Sequence, residues 1–257
     1  MSELKNILII AKYTFKELLK SKVLFNVLLI GFCLLLLSFV ASEFTFGVPQ
    51  RVALDFGLGT LTLSTVAIAT LMGSGLVANE IESRTIYMTL SRPISRTSFL
   101  IGKTLGMSGI FIANIGFLSA ITIGFYSFLG GSVDPLILWN IVYAFVESLL
   151  CLLVVLLFSL ITNKTLSIIF TISLYISGHA INAALVERFK EVAFFHFALS
   201  KYHYLLPGFS KLNIKDFVLY QHHLETDFLI QTLGYGVCYS AALLILACLI
   251  FENKNLD

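Results

Sequence analysis

Glu147 is the residue whose type and position most need a chemical explanation, because its carboxyl group lies in the middle of a long apolar run. If that run crosses a membrane, a charge there costs at least about 2.5–3.5 kcal/mol on insertion scales. The carboxyl group therefore requires a polar partner, a water-filled cavity or a proton. His179 and Asn182, three residues apart in another apolar run, are candidate partners. These residues predict either a buried polar network or part of a translocation path, and both interpretations stay open at this point.

The chain shows no residue pattern of a known enzyme class. It contains no GxxxxGKS or GxxxxGKT phosphate-binding loop, no GxSxG and no HExxH. Ser177 and His179 are near neighbours in one apolar run, whereas a serine protease needs its nucleophile and base on facing elements. We therefore predict that the chain is not an enzyme and that it does not bind ATP by this route.

The histidines and cysteines do not have the spacing of a metal site. The four histidines of the 187–227 region match no strong ligand pattern, and the four cysteines lie in apolar runs without a C-x-x-C pair. These residues are His196, His203, His222, His223, Cys33, Cys151, Cys238 and Cys248. The sequence predicts no metal and no cofactor in this chain.

The segment 79–103 is the most informative polar stretch. Glu80 and Arg84 stand four residues apart with the acid first, which is the better order for an ion pair on a helix. Pro93 disfavours helix at the residue before it, so we predict a short helix, a bend and a second helix that continues into the next apolar run. The charge pattern favours docking onto another protein. The candidate docking residues are Glu80, Ile81, Glu82, Arg84, Thr85 and Met88.

Composition places the chain in a membrane. Hydrophobic residues make up 58% of the 257 residues and charged residues 12%, whereas a soluble domain carries about 25% charged residues. So few charges could not cover the surface of a soluble protein of this length. This excludes most cytosolic enzymes, disordered chains and nucleic-acid-binding proteins.

Six apolar runs are long enough to cross a bilayer as helices, which needs about 20 residues each. The runs are continuous rather than alternating, so helices are favoured over a β-barrel. Glu147 is the only charged residue within them. The predicted spans are 23–40, 58–78, 105–129, 136–161, 165–186 and 228–251. We predict an all-α membrane protein whose single permease domain occupies residues 1–257.

Lysine and arginine residues set the predicted orientation. The chain ends and short loops on one side carry eleven of them, whereas the short loops on the other side carry only Arg51. Cytoplasmic loops are enriched in these residues. We therefore expect both chain ends in the cytoplasm.

Two regions outside the spans have their own character. Residues 3–22 place four lysines on one face of a helix and apolar residues on the other, which is typical of a helix lying in the membrane interface near anionic lipid. Residues 187–227 are rich in aromatics and carry no net charge, and we expect a large outer-face loop with a surface helix near 188–205. Small residues recur at intervals that let helices approach closely, as in a dimer or bundle interface: 69 and 73, 102 and 106, and 234 with 236 and 240.

The whole layout resembles the membrane subunit of ABC-2 type ABC transporters. The resemblance covers nearly the whole chain and includes the basic helix before span one, the segment Glu80–Lys103 with Arg92-Pro93-Ile94-Ser95-Arg96, the Pro207 region and the ending Phe251–Leu256. Many members of that family carry Gly-Thr where this chain has Arg84-Thr85. Within the family the chain is similar to the small permeases that include the nitrous oxide reductase maturation permease.

This resemblance implies a mechanism. Two permease subunits, either two copies or a copy and a paralogue, would pair in a bacterial inner membrane. Two separate ATPase subunits, which bind ATP and Mg²⁺, would dock beneath them. The segment near Ile81–Met88 would be the coupling helix that carries ATPase motion to the membrane helices and drives export.

A second interpretation assigns the chain to a different class. The permease would act as a mechanotransmitting or scaffold subunit that drives an accessory protein at the outer loop, without moving a substrate itself. The region 187–227, which is rich in aromatic residues and carries no net charge, allows this interpretation. An intramembrane enzyme would need a catalytic pair, which the sequence does not contain.

Overall fold

The computed structural model describes residues 2–44, 48–87, 94–181, 206–220 and 224–254, and all regular structure in these ranges is α-helical. The described ranges contain α1, then six long helices, with three short helices of four or five residues between them. In chain order they are α1 (Ser2–Leu19), α2 (Lys22–Glu43), α3 (Pro49–Gly73), α4 (Ala78–Glu82), α5 (Arg96–Phe128), α6 (Pro135–Ile161), α7 (Lys164–Ala180), α8 (Phe209–Leu212), α9 (Lys215–Leu219) and α10 (Thr226–Asn253).

The prediction of an all-α membrane protein is confirmed. Five helices in the described ranges are long and apolar enough to cross a membrane: the helices at 22–42, 49–82, 96–128, 135–161 and 226–253. The predicted span 165–186 corresponds to α7, which has 17 residues; the part of that span beyond Ile181 lies outside the described residues. The number of six spans therefore stays a prediction.

Helix boundaries follow local signals that the apolar runs do not contain. Pro49 and Pro135 occupy the first turns of α3 and α6, where a missing N–H costs nothing. The side chains of Ser95 and Asp134 accept hydrogen bonds from the backbone N–H groups of Ser98 and Leu136. Consequently α3 begins nine residues before the predicted span 58–78, and α5 runs without interruption from Arg96 into the predicted span 105–129, as expected for the second helix of the 79–103 segment.

The core of the bundle lies between α3 and α6. Helix α6 packs against α3, α5, α7 and α10, and α3 also packs against α2 and α5. Large apolar side chains on the outer faces of α2 and α10, such as Leu29 and Ile245, are exposed. Such exposure is typical of a surface in contact with lipid rather than water.

Contacts at the helix ends define two ends of the bundle. The end of the bundle that carries α4 also holds the last residues of α6 and α10 and the start of α5 and α7, since Arg96, Lys164 and Lys254 bond across these elements. The opposite end carries α9, and there Gln50 Nε2 donates to the carbonyl oxygen of Leu129 at 2.9 Å. We call these the α4 end and the α9 end.

Helix α1 packs on α5 through glycines. A Cβ on Gly102 would lie 2.8 Å from Cβ of Ile10, and a Cβ on Gly106 would lie 2.7 Å from Cβ of Thr14. These separations are shorter than side chains tolerate, so only glycine allows the two helices to approach so closely. The predicted close packing at 102 and 106 is thus confirmed, and it occurs within one chain.

Part of the predicted outer-face loop 187–227 is inside the bundle. Helix α8 packs against α6, α7 and α10, and α9 packs against α3 and α6. Phe209, Leu212 and Ile214 are almost completely buried. One side of the described stretch 206–220 therefore packs between the long helices, where its apolar side chains fill space, while Lys211, Phe217 and Tyr220 are exposed. Residues 187–205 and 221–223, with the predicted surface helix and the four histidines, lie outside the described residues.

Candidate functional site

The segment after α3 presents a short exposed turn on a buried base. Residues 74–77 and Ile86 are buried, and Ile81 is half-buried against the core. Between these anchors Glu82, Ser83, Arg84 and Thr85 are exposed. The segment therefore presents polar side chains away from the bundle while its apolar side chains hold it in place. Met88 lies outside the described residues.

Lys103 joins three helices at the base of this turn. Its ammonium group, on α5, pairs with the carboxylate of Glu80 on α4 and lies 3.7 Å from Oε2 of Glu17 on α1. The Lys103 side chain is only 8% exposed, whereas Glu80 is 21% and Glu17 70% exposed. We call these three residues the Lys103 cluster. A buried ammonium group needs such partners, so α4 is held to the bundle by charge as well as by apolar contact.

The prediction of an ion pair between Glu80 and Arg84 on one helix is wrong. Helix α4 ends at Glu82, and Arg84 follows with φ +58°, in the left-handed region. Four-residue spacing brings side chains together only where the helix continues. Glu80 instead forms its ion pair with Lys103.

The backbone at Arg84 is strained. A residue with a side chain costs roughly 1–2 kcal/mol in the left-handed conformation, which glycine adopts freely just after a helix end. The family that the sequence resembles often has glycine at this position. Arg84 therefore occupies, at an exposed turn, a backbone conformation that favours glycine.

Cationic side chains hold the other helix ends at the α4 end. Nη1 of Arg96 donates to the carbonyl oxygens of Phe251, Glu252 and Lys254 at 2.9–3.2 Å. Nζ of Lys254 donates to the carbonyl oxygen of Leu160 at 2.6 Å. Cations at helix C-termini satisfy free carbonyls and favour the helix dipole. Arg96 and the stretch 251–254 belong to two separate segments that carry the family resemblance, and these segments are in contact in the structure.

A second polar cluster lies inside the bundle around Glu147. Oε1 of Glu147 accepts a hydrogen bond from the hydroxyl of Tyr175 at 2.9 Å and lies 3.2 Å from Nε2 of His179. Glu147 is only 3% exposed. The predicted proximity of Glu147 and His179 is confirmed, and we call Glu147, Tyr175 and His179 the Glu147 cluster. Asn182 lies outside the described residues.

Helix α8 closes the Glu147 cluster from the α9 end. The ring of Phe209 lies 5.1 Å from that of Tyr175 and 6.2 Å from that of His179, measured between centroids. Gly178 makes room for it, since a Cβ there would lie 2.8 Å from the Phe209 ring. Among the described residues, buried Nδ1 of His179 has no hydrogen-bond partner. The cluster therefore holds one buried polar atom whose partner is not among these residues.

The comparison with family models decides where this architecture belongs. The model described as ABC-2 family transporter protein matches residues 8–256, nearly the whole chain. The chain belongs to the ABC-2 transporter family. It is therefore a transporter permease subunit and a multi-pass membrane protein, as the resemblance implied. A comparison with curated proteins finds no match.

Some residues of this ABC-2 permease were missed in the sequence, and the reasons differ. Tyr175 precedes His179 by four residues and so shares its helix face, a signal that could have revealed it. Lys103 was visible as a cation within a helical stretch, but its two acidic partners come from distant parts of the chain. Phe209 lies in a segment predicted to be a loop, and no local pattern places it against α7.

Proposed function

We propose that this ABC-2 permease couples ATP hydrolysis by a separate ATPase to export of a substrate. The chain has no phosphate-binding loop of its own, so two copies of an ATPase subunit would bind ATP and Mg²⁺ for it. A second permease copy or a paralogue completes the assembly. The narrower similarity to the nitrous oxide reductase maturation permease stays a prediction.

The Lys103 cluster is the observation that carries this proposal. The exposed turn 82–85 is the docking surface, and an ATPase that displaces it displaces α4. Because Glu80 is bound to Lys103, that displacement acts directly on α5 and α1. Lys164, at the start of α7, adds a second connection through its 3.1 Å hydrogen bond to Oδ1 of Asn79. Coupling between two sites needs a physical element that both sites bias, and α4 supplies it.

The orientation follows from the same assignment. The α4 end, with its clustered lysines and arginines, faces the cytoplasm of a bacterial inner membrane. Helix α1 exposes Leu4 and Leu8 beside Lys12 and Lys16. This arrangement suits a helix in the cytoplasmic membrane interface, with its leucines among acyl chains and its lysines near anionic headgroups.

Charge reversal in the exposed turn tests the docking surface. We expect Glu82→Lys and Arg84→Glu to reduce co-purification with the partner ATPase subunit, while the amount of permease in the membrane stays unchanged. Arg84→Gly removes the charge but suits the backbone, so it separates the role of the charge from that of the turn. Asp227→Lys, at the exposed start of α10 on the α9 end, is the matched control.

The result that would contradict the proposal is full ATPase stoichiometry and unchanged ATPase activity in both reversal variants. Loss of the permease itself from the membrane would instead show that the turn is needed for folding, and Arg84→Gly then reports on docking alone.

The mechanotransmitting role is a second candidate, and the buried position of 206–220 favours it. Helices α8 and α9 contact α3, α6, α7 and α10, so a movement of these helices passes directly into the segment that leads to the rest of the loop. Deleting 187–205 leaves α8 and α9 in the chain. If this deletion abolishes binding of an outer-face partner and leaves efflux from vesicles unchanged, force transmission is favoured. If the deletion abolishes efflux, export is favoured.

A further inference from the structure

A groove beside α3 at the α9 end has no role in the coupling described above. It has a volume of about 280 Å³ and is open rather than enclosed. Leu34 of α2 and residues of α3 form its walls, and Lys215 of α9 closes one end. The lining residues are Leu34, Asp55, Phe56, Gly59, Thr60, Leu63 and Lys215.

An ion pair lies within this groove. The ammonium group of Lys215 pairs with the carboxylate of Asp55, and the two side chains are 26% and 47% exposed. Nζ of Lys215 lies 3.0 Å from where a Cβ of Gly59 would stand, so glycine leaves the space that the ammonium group occupies. Gly59 is about 15 Å along α3 from its first residue, at 1.5 Å per residue. The Lys215 ammonium group therefore lies beside the first residues of the predicted span 58–78, just as Glu147 lies within the predicted span 136–161.

The groove combines these charges with apolar walls. Phe56 and Leu63 are 45% and 60% exposed and Leu34 lines the opposite side. The lining residues carry one positive and one negative charge, and Arg51, one turn nearer the start of α3, is not among them. A ligand that matches this surface has a phosphate, an ammonium group and hydrocarbon chains.

We propose that the groove binds the headgroup of a zwitterionic phospholipid of the surrounding bilayer. Its phosphate contacts Nζ of Lys215, its ammonium group contacts the carboxylate of Asp55, and its acyl chains lie along Leu34, Phe56 and Leu63. Charge-assisted bonds of this kind are the strong ones in a medium of low dielectric constant. The site does not depend on an ATPase, so its failure and the failure of the coupling proposal are separate results.

Native mass spectrometry of the full-length permease, released from detergent micelles, tests the site. The probes are phosphatidylethanolamine, phosphatidylglycerol and diacylglycerol with identical acyl chains. We expect the wild-type permease to retain phosphatidylethanolamine at least about tenfold better than diacylglycerol, because only the former has both charged groups. Phosphatidylglycerol should be retained less well, since it brings no cation for Asp55.

The double variant Asp55→Asn/Lys215→Gln separates lipid binding from a structural role of the ion pair. The two amides still hydrogen-bond, so α9 stays tied to α3 and thermal stability is kept, while retention of phosphatidylethanolamine falls about tenfold. Leu34→Trp, which fills the groove without touching the ion pair, should lower retention similarly. Lys211→Gln, an exposed lysine on α8 outside the groove, is the matched control.

Three outcomes would overturn the proposal. Unchanged retention in the double variant would show that the ion pair only ties α9 to α3. Equal retention of diacylglycerol would show that no headgroup is recognised. Stronger retention of phosphatidylglycerol would show that a net positive surface, rather than a matched pair of charges, holds the lipid.

Discussion

Replacing Glu80 with glutamine is the sharpest test of the Lys103 cluster. Within the described residues, the variant leaves the Lys103 ammonium group, 8% exposed, with Glu17 at 3.7 Å as its only acidic partner. Breaking a buried ion pair from one side costs about 3–5 kcal/mol. Because Glu80 is 21% exposed and the amide oxygen of glutamine still accepts a hydrogen bond, we expect a loss of about 3 kcal/mol.

The same cluster predicts smaller losses from its other two members. Glu17 is 70% exposed, so Glu17→Gln should cost at most about 1 kcal/mol after screening by solvent. Lys103→Met should cost less than Glu80→Gln, because the carboxylate left behind is 21% exposed whereas the ammonium group is 8% exposed, so water hydrates the carboxylate more easily. The predicted order of loss is thus Glu80→Gln first, then Lys103→Met, then Glu17→Gln.

Unfolding of the purified permease in detergent micelles, followed by denaturant titration and by thermal melting, measures this order. A loss of 3 kcal/mol corresponds to a fall of about 6–12 °C in Tm for a chain of this length. Glu82→Gln, on the exposed side of the same helix, is the control and should leave Tm unchanged. Equal losses from Glu80→Gln and Glu17→Gln, or a larger loss from Lys103→Met, would refute the reasoning that burial of the ammonium group sets the cost.

Three further predictions concern other parts of the bundle. Glu147→Gln should lower transport activity more than stability. The amide oxygen of glutamine still accepts the hydrogen bond from the Tyr175 hydroxyl, so the free energy of unfolding should fall by only about 1 kcal/mol. Parallel losses of efflux and Tm would show a purely structural role. Gly106→Ala should destabilise α1 packing by about 1–3 kcal/mol, whereas Gly116→Ala, whose Cβ meets nothing within 4 Å, should be neutral or stabilising; equal effects in melting experiments would contradict the packing argument. Arg96→Gln should cost about 1.5–3 kcal/mol by freeing three carbonyls at the end of α10, and increased proteolysis of the C-terminal residues would report it.

Short-range features of this permease were predictable where a local cause sets them. The apolar runs predicted the long helices because they depend on local composition, whereas Pro93, the predicted cause of a bend, lies outside the described residues. Glu147 was recognised because a carboxyl group in an apolar run needs a partner wherever that partner lies. His179 was named as a candidate partner, with Asn182, because it is the one histidine of the sequence within a predicted span.

Long-range features were not predictable in the same way. Glu80 pairs with Lys103 and not with Arg84, because α4 stops after five residues and the backbone turns at Arg84. Nothing within 79–103 sets where α1 lies, so Glu17 could not be assigned to the same cluster. The buried course of 206–220 was missed because its apolar residues are too few to form a span, and their burial depends on space that other helices leave.

The sequence by itself therefore determined that this chain is a helical membrane protein, since composition, continuous apolar runs and charge placement are local properties that the bilayer selects. Its place in the ABC-2 transporter family also follows from sequence alone, through the match of the family model to residues 8–256. Only the tertiary structure decided which charges meet: Lys103 with Glu80 and Glu17, Lys215 with Asp55, and Glu147 with Tyr175 and His179. The physical reason is that an ion pair depends on distance in space, and packing of helices far apart in the chain sets that distance.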